Sequence, residues 1–321
     1  MRWLFLPLSF IYGLISEVRN FLFDQNILKS YKSDIFTIVV GGLNSGGSGK
    51  TPMVKFLTSK LQNQYKTVIL SRGYARKSKG LVVASNESTI EMIGDEPFML
   101  FHFFGGKIPV ICCENRVEGI KWIQENLMSA NVVVCDDGFQ HRWLKPQLSI
   151  LLTPAGKPFT KDFVLPLGTL RELPKNAQRA DILVVTKSTN HKINIIHPTI
   201  FYAKSVSTSN YSVKNTNEEA LFVCGLANKK MFLDEMKSHF LIIKEFIFKD
   251  HHWFTKLEID KILNFGSQKI VTTTKDWVKI KNYVNQAEAE RFIIFDSTPF
   301  FDLESEFLTL INTKIDDFYS K

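Results

Sequence analysis

The sequence predicts an α/β fold in which helices cover both faces of a parallel β-sheet, on three observations. Short apolar runs recur at 34–41 (DIFTIVVG), 66–71 (KTVILS), 108–112 (IPVIC), 131–137 (NVVVCDD), 148–153 (LSILLT) and 181–187 (DILVVTK). Helical stretches separate most of them, over 50–64, 97–104 and 115–127. The runs are continuously apolar rather than alternating, as strands buried on both faces are.

Taken in order, the run at 34–41 ends in glycine and reads as a buried strand, and the helix from Lys50 to about Gln64 follows it. LVVA at 81–84 is a further strand. Pro97 suits a first helical position, because its fixed φ is helical and its missing N–H is not needed there. After Lys187 the character changes. Residues 188–218 are rich in Ser, Thr, Asn and Lys and read as a linker, with extended strands at 199–206. A second, smaller α/β unit begins with ALFVCG at 220–225 and holds a helix at 228–239 and the strand KIVTTT at 269–274. The expected division is an N-terminal segment over 1–30, a main domain over 31–198, and a connector with a smaller domain over 199–321.

Residues 3–15 read WLFLPLSFIYGLI. That run is short for a spanning helix, which needs roughly 20 apolar residues. No small-x-small cleavage site follows it, as a signal peptide would require. From Phe10 to Phe23 apolar residues recur at helical spacing, with Glu17, Arg19 and Asn20 between them. Two readings stand side by side: an amphipathic helix lying in a membrane's headgroup layer, or a helix packed on the core.

The chain has 321 residues, 45% of them hydrophobic and 22% charged, which supports a large core and excludes a disordered protein. The net charge of +8 suits nucleic acid, an anionic membrane or a phosphorylated substrate. The basic residues are scattered without an aromatic-basic signature, so nucleic acid ranks last. Four cysteines, Cys112, Cys113, Cys135 and Cys224, include no CxxC pair, which argues against a zinc site and for buried thiols.

The chemistry-bearing motif is Asn44-Ser45-Gly46-Gly47-Ser48-Gly49-Lys50-Thr51, directly after TIVVGG. It fits the end of the P-loop pattern GxxxxGK[ST], with Asn44 at the first glycine. Glycines let consecutive N–H groups turn inward around a phosphate, and the following helix adds its positive end. Lys50 would reach the β- and γ-phosphates of ATP, and the Thr51 hydroxyl would bind Mg²⁺. Membrane-associated partition-type ATPases carry an extra lysine where Ser45 stands. The strand 131–137 ends in Asp136 and Asp137, both candidates for the carboxylate that holds the metal. Gly138-Phe139-Gln140-His141-Arg142 continues at the sheet edge where α/β proteins bind ligands.

The chain resembles the tetraacyldisaccharide 4′-kinases, which phosphorylate a lipid A precursor. LPLSFIYGLI, NSGGSGKTP, SRGYAR at 71–76, GDEPFML at 94–100, DDGFQHR at 136–142, LPLGTLRE at 165–172, FKDHHWFT at 248–255 and TTTKDWVK at 272–279 occur in that family's order. The resemblance implies a P-loop domain, a two-stranded connector and a smaller α/β domain. It implies γ-phosphoryl transfer from ATP to the 4′-hydroxyl of an acylated glucosamine disaccharide 1-phosphate, at the cytoplasmic face of a bacterial inner membrane. Leu167 and Thr169 depart from the family's PAGPLRE-like run, and Thr274 and Trp277 from TTEKDAVK. Where Asn44 stands the family commonly has serine or threonine.

An aspartate before Glu-Pro is also a good helix cap, but the resemblance makes Asp95 the candidate base and His251 its partner. Closing of the two domains would then be part of catalysis. Glu96 and Glu172 are candidates for positioning Lys50 or Mg²⁺. Arg72, Arg116, Gln140, His141 and Arg171 are candidates for the substrate's phosphate or sugar, since arginine's planar fork donates in pairs. The alternatives are a P-loop kinase of a soluble small molecule and a membrane-associated switch ATPase.

Overall fold

The computed structural model describes residues 2–188, 193–211, 218–226 and 229–321. Its strands are β1 (Tyr31–Lys32), β2 (Phe36–Gly42), β3 (Thr67–Ser71), β4 (Val82–Val83), β5 (Val110–Cys112), β6 (Val132–Asp136), β7 (Leu144–Lys145), β8 (Leu148–Pro154), β9 (Ile182–Thr186), β10 (Ile200–Ser209), β11 (Glu219–Cys224), β12 (Leu241–Ile247), β13 (Lys269–Thr273) and β14 (Phe292–Phe301). Its α-helices are α1 (Leu6–Asp24), α2 (Lys50–Leu61), α3 (Ile90–Ile93), α4 (Asp95–Phe103), α5 (Arg116–Asn126), α6 (Lys229–Lys237), α7 (Lys256–Leu263), α8 (Thr274–Ile280), α9 (Gln286–Ala289) and α10 (Glu304–Tyr319).

Among the described residues one twelve-stranded sheet runs β12-β11-β13-β14-β10-β9-β8-β2-β6-β3-β5-β4. Its pairs are parallel except at the β4 edge and at β10 with β14. The antiparallel β10–β14 pair, from Ala203 opposite Phe301 to Ser209 opposite Phe295, joins two parallel half-sheets. In the first half, β2, β3, β6 and β9 are buried at every residue, which is why they read as continuous apolar runs. Separate apolar clusters fill the two faces of each half.

Three differences from the sequence reading have physical causes. First, the strand expected at 199–206 is the ten-residue β10, but the second strand of the connector is β14, at a stretch where the sequence reading placed no strand; residues 189–192 and 212–217 of the linker lie outside the described residues. Pro299 in β14 argues against a central strand, yet it pairs with Ser205 in the connector. Second, α4 starts at Asp95 and not at Pro97, because Gly94 takes the N-cap with φ 89°. Third, α10 leaves the second half and sets Phe307, Ile311 and Ile315 in the same cluster as Ile38 and Leu57 of the first. The predicted helix at 228–239 is seen as Lys229–Lys237, and residue 228 lies outside the described residues.

The N-terminal helix turns its polar side to the protein. Ser9 accepts from Leu167 N at 2.8 Å and donates to Val164 O at 3.1 Å. Asn20 donates to Glu172 Oε2 at 2.9 Å, and Glu17 accepts from Asn176 and pairs with Lys175, each at 2.5 Å. Most of its apolar side chains face out, with Phe10 71% and Ile15 64% exposed, as do Leu4 at 76% and Trp3 at 67% in the turn before it, while Phe23 is buried. No helix among the described residues is long and apolar enough to cross a membrane.

Candidate active site

The strand–loop–helix at 36–61 builds the phosphate cradle. Gly49 caps α2 with φ 85°, while Gly46 and Gly47 have φ 108° and 71°. A Cβ at Gly46 or Gly47 would meet nothing, so it is the left-handed backbone that requires glycine there. Asn44 needs no such freedom. It is buried, forms a bridge with Leu170, and donates to Thr169 Oγ1 at 3.3 Å. Ser45 N donates to Thr169 O, and Arg171 N to Leu43 O, each at 2.8 Å. The LPLGTLRE loop therefore braces the P-loop from behind. On the other side Thr186 Oγ1 donates to Ser48 O at 2.9 Å and Lys187 Nζ to Gly47 O at 3.0 Å.

The two aspartates after β6 part ways. Asp136 is buried, and neither of its carboxylate oxygens has a hydrogen-bond partner among the described residues. Burial, with Glu96 and Asp137 nearby, pushes it up to about 8 against the pull of Lys50 and Arg116. Asp137 leaves the strand with φ 48°, accepts from Arg171 at 2.8 and 3.0 Å, and lies 3.5 Å from Lys50 Nζ. Burial raises its carboxyl, but Lys50 and Arg171 outweigh that and hold it below the ordinary range.

A cleft of about 290 Å³ opens over the P-loop, between Gly46–Thr51, Glu96 and Met99 on one side and Phe232, His251 and Lys275 on the other. Across it His251 Nδ1 lies 2.7 Å from Asp95 Oδ2. Lys279 Nζ is 3.2 Å and Lys275 Nζ 3.7 Å from the same oxygen. Burial raises Asp95, yet the His251 hydrogen bond and these two ammonium groups drive its carboxyl far below the usual range. The Asp95 bond in turn raises His251 against its partial burial. Glu96 is pushed up by burial and by Asp95, against the pull of Lys275 and Lys50. Among the described residues, His251, Asp137 and Lys187 are three of the five non-glycine residues with positive φ, and strain of that kind concentrates at functional sites.

The remaining candidates divide. Gln140 donates to Gly42 O at 3.1 Å and accepts from Arg171 at 3.2 Å, bracing the P-loop strand. Arg116 is buried, and its guanidinium donates to the carbonyls of Cys113, Glu114, Asp136 and Asp137, so it shapes the end of β6. Burial, with Arg116, Arg19 and Arg72 nearby, pushes His141 down to about 4, and its Nε2 has no partner among the described residues. Arg72 is exposed. Glu172 is not beside Lys50: it is buried and pairs with Arg179 at 2.6 Å and with Asn20, so it anchors α1. Sequence reasoning gave no role to Lys275 and Lys279, although their i, i+4 spacing in TTTKDWVK was visible. It also passed over Lys187 at the end of β9, and Lys55, which pairs with Asp296 of β14.

The tetraacyldisaccharide-1-P 4′-kinase family model matches residues 1–316. The tetraacyldisaccharide 4′-kinase of Cytophaga hutchinsonii is 35% identical over 99% of this chain and 97% of its own. That of Bacteroides thetaiotaomicron is 36% identical over 91% and 86%. The crystal structure of LpxK from Aquifex aeolicus in complex with ATP superposes with a TM-score of 0.80 at 29% identity, covering 98% of this chain and 99% of that one. The agreement runs from the N-terminal helix through the P-loop to α10, and on it this chain belongs to the tetraacyldisaccharide-1-phosphate 4′-kinase family.

Proposed function

We propose that this chain transfers the γ-phosphoryl group of ATP to the 4′-hydroxyl of a tetraacylated glucosamine disaccharide 1-phosphate. The observation that carries the site assignment is the Asp95–His251 pair, which bridges the cleft that Lys50 lines, in a chain of this family. Lys50 and the amides of residues 45–51 hold the terminal phosphates, in a loop braced by Asn44, Thr169 and Thr186.

A carboxylate flanked by two ammonium groups and hydrogen-bonded to His251 is a weak base, so Asp95 alone suits proton removal poorly. As a dyad the pair works better. Asp95 accepts from Nδ1–H, which fixes the ring and leaves Nε2 as the nitrogen that takes the hydroxyl proton.

The residues present fit a magnesium ion. Both oxygens of Asp136 are buried without partners among the described residues, and a buried carboxylate needs a cation or hydrogen bonds. No group of three His, Cys, Asp or Glu that could hold a metal is found among the described residues. Magnesium fits that pattern, since it is commonly held by one or two carboxylates together with substrate phosphates. Asp136 and Thr51 would hold it, with Asp137 fixed beside Lys50, and the ion would neutralise phosphate charge.

An acceptor with acyl chains stays in its bilayer, so the catalyst must come to it. The outward apolar side of α1 and the net charge of +8 support docking at the cytoplasmic face of the inner membrane, peripherally or monotopically. Arg72, His141 and Arg171 are proposed to meet the sugar or its phosphate. Residues 1–30, 31–198 and 199–321 are proposed as membrane-associating segment, P-loop domain, and connector with the smaller α/β domain. The test is transfer of labelled γ-phosphate to the disaccharide 1-phosphate lipid in detergent. Wild type should transfer it, Lys50→Ala should not, and His251→Ala should lose roughly 10²–10⁴-fold. Normal transfer by His251→Ala would remove the dyad.

A further inference from the structure

Two lysines of α8 converge on Asp95 and are placed differently. Lys279 is buried away from the cleft, with its Nζ 3.2 Å from Asp95 Oδ2. Lys275, one turn earlier, lines the cleft. Its Nζ lies 3.0 Å from Asp250 Oδ1, 3.4 Å from His251 Nε2 and 3.7 Å from Asp95 Oδ2. Lys279 is the nearer of the two to Asp95, so Asp95 keeps a buried counter-charge when the Lys275 ammonium is engaged elsewhere. Lys275 and Lys50 also act on the same carboxylate, Glu96, from opposite walls of the cleft.

We propose that Lys275 is a catalytic cation supplied by the second half of the molecule, whose ammonium meets the transferring phosphoryl group opposite Lys50. The proposal rests on the kinase reading above. As the acceptor oxygen bonds to the γ-phosphorus, the bond to the β,γ-bridging oxygen breaks and its electron pair stays on ADP. The hydroxyl proton goes to His251 Nε2. Charge spreads over the three equatorial oxygens, and two cations on opposite sides stabilise it more than the ground state. An ammonium on a flexible four-carbon stem can move from Asp250 to a phosphate oxygen by rotation about its side-chain bonds. Lys279 stays behind and keeps Asp95 ionised, so the dyad does not lose its acceptor when Lys275 moves.

The experiment uses the full chain as wild type, Lys275→Met and Lys275→Arg, with magnesium throughout. It measures affinity for ADP, affinity for ADP with aluminium fluoride as a mimic of the transferring group, and the steady-state constants for phosphate transfer. The expected result is that Lys275→Met binds ADP within about 2-fold of wild type but loses the extra affinity conferred by aluminium fluoride. Its kcat should fall roughly 10²–10³-fold, as when one transition-state donor is removed, with KM for ATP little changed. Lys275→Arg should recover part of both. Retained ADP affinity also shows that the variant is folded. The proposal is overturned if Lys275→Met keeps the aluminium fluoride effect. It is equally overturned if ADP affinity falls as much as the mimic's, which would make Lys275 a latch between the halves. Wild type that neither binds ADP nor transfers phosphate would sink the kinase reading itself.

Discussion

Three acidic side chains of one cleft are tuned in different directions by their neighbours. Asp95 has His251, Lys275 and Lys279 against it and stays ionised; Asp136 and Glu96 lie in buried surroundings and are pushed up. For the dyad the consequence can be measured. His251 is raised on folding, so its contribution to stability is complete below its unfolded value of about 6.5 and is lost as pH rises through the folded value. Asp95 is lowered, so its contribution is present above about 4 and is lost as pH falls through the folded value. The stability difference between wild type and His251→Asn, from urea unfolding, should therefore peak between about pH 4 and 6.5 and shrink above. A difference that grew with pH would contradict the pair. Asp136→Asn should do the opposite of most site mutations. Removing a buried carboxylate without a partner should stabilise the ligand-free protein by about 1 kcal/mol while abolishing transfer, a trade typical of active sites. Denaturant unfolding without nucleotide checks the sign.

At the scale of elements, α1 and the P-loop share one support. The segment 162–172 accepts or donates backbone bonds with residues 43–45 on one side and contacts Ser9 and Asn20 on the other. Gly168 is central to it, since a Cβ there would stand 1.9 Å from Phe163 O. Gly168→Ala should cost roughly 1–3 kcal/mol by forcing the loop aside, and it should also weaken ATP binding. Equilibrium unfolding and nucleotide titration would reveal the two effects together; a neutral variant would show that the loop is not a brace. The outward side of α1 predicts a separable effect. Phe10→Glu with Ile15→Glu changes exposed positions, so melting should hold while flotation with anionic vesicles is lost. Unchanged flotation would leave the docking proposal without support.

For the whole molecule, the decisive feature is that the two half-sheets meet through one antiparallel ribbon while side chains tie them across the cleft. His251 pairs with Asp95, Lys55 with Asp296 and Lys60 with Glu304, each linking elements from different halves. Phe307 and Ile311 of α10 add an apolar return contact. Nucleotide held between such halves binds the folded chain and not the unfolded one. Saturating ATP with magnesium, at 100 times its Kd, should add about 2.7 kcal/mol to stability. Lys50→Ala should lose most of that gain in the same calorimetric scan.

Much of this was written locally. The P-loop is legible because eight consecutive residues specify strand end, left-handed glycines and helix start. The strands of the first half are legible because burial on both faces leaves no polar positions. Asp136 was legible as the end of an apolar run. Other parts were not. β12 is an edge strand with all of its side chains exposed or partly so, and its LIIKEFI pattern carries no clear period. The pairing of β10 with β14 joins residues about ninety positions apart, and a proline sits in one of the strands. Glu172 stands next to Arg171 in sequence, yet one turns to α1 and the other to Asp137. The sequence by itself determined the fold class, the phosphate loop and the family, because backbone geometry and burial pattern are short-range properties of the chain. Only the tertiary structure decided which charges meet Asp95, which side of α1 faces out and what braces the P-loop. Those depend on contacts across more than a hundred residues, where a few ångströms separate a catalytic ammonium from a structural one.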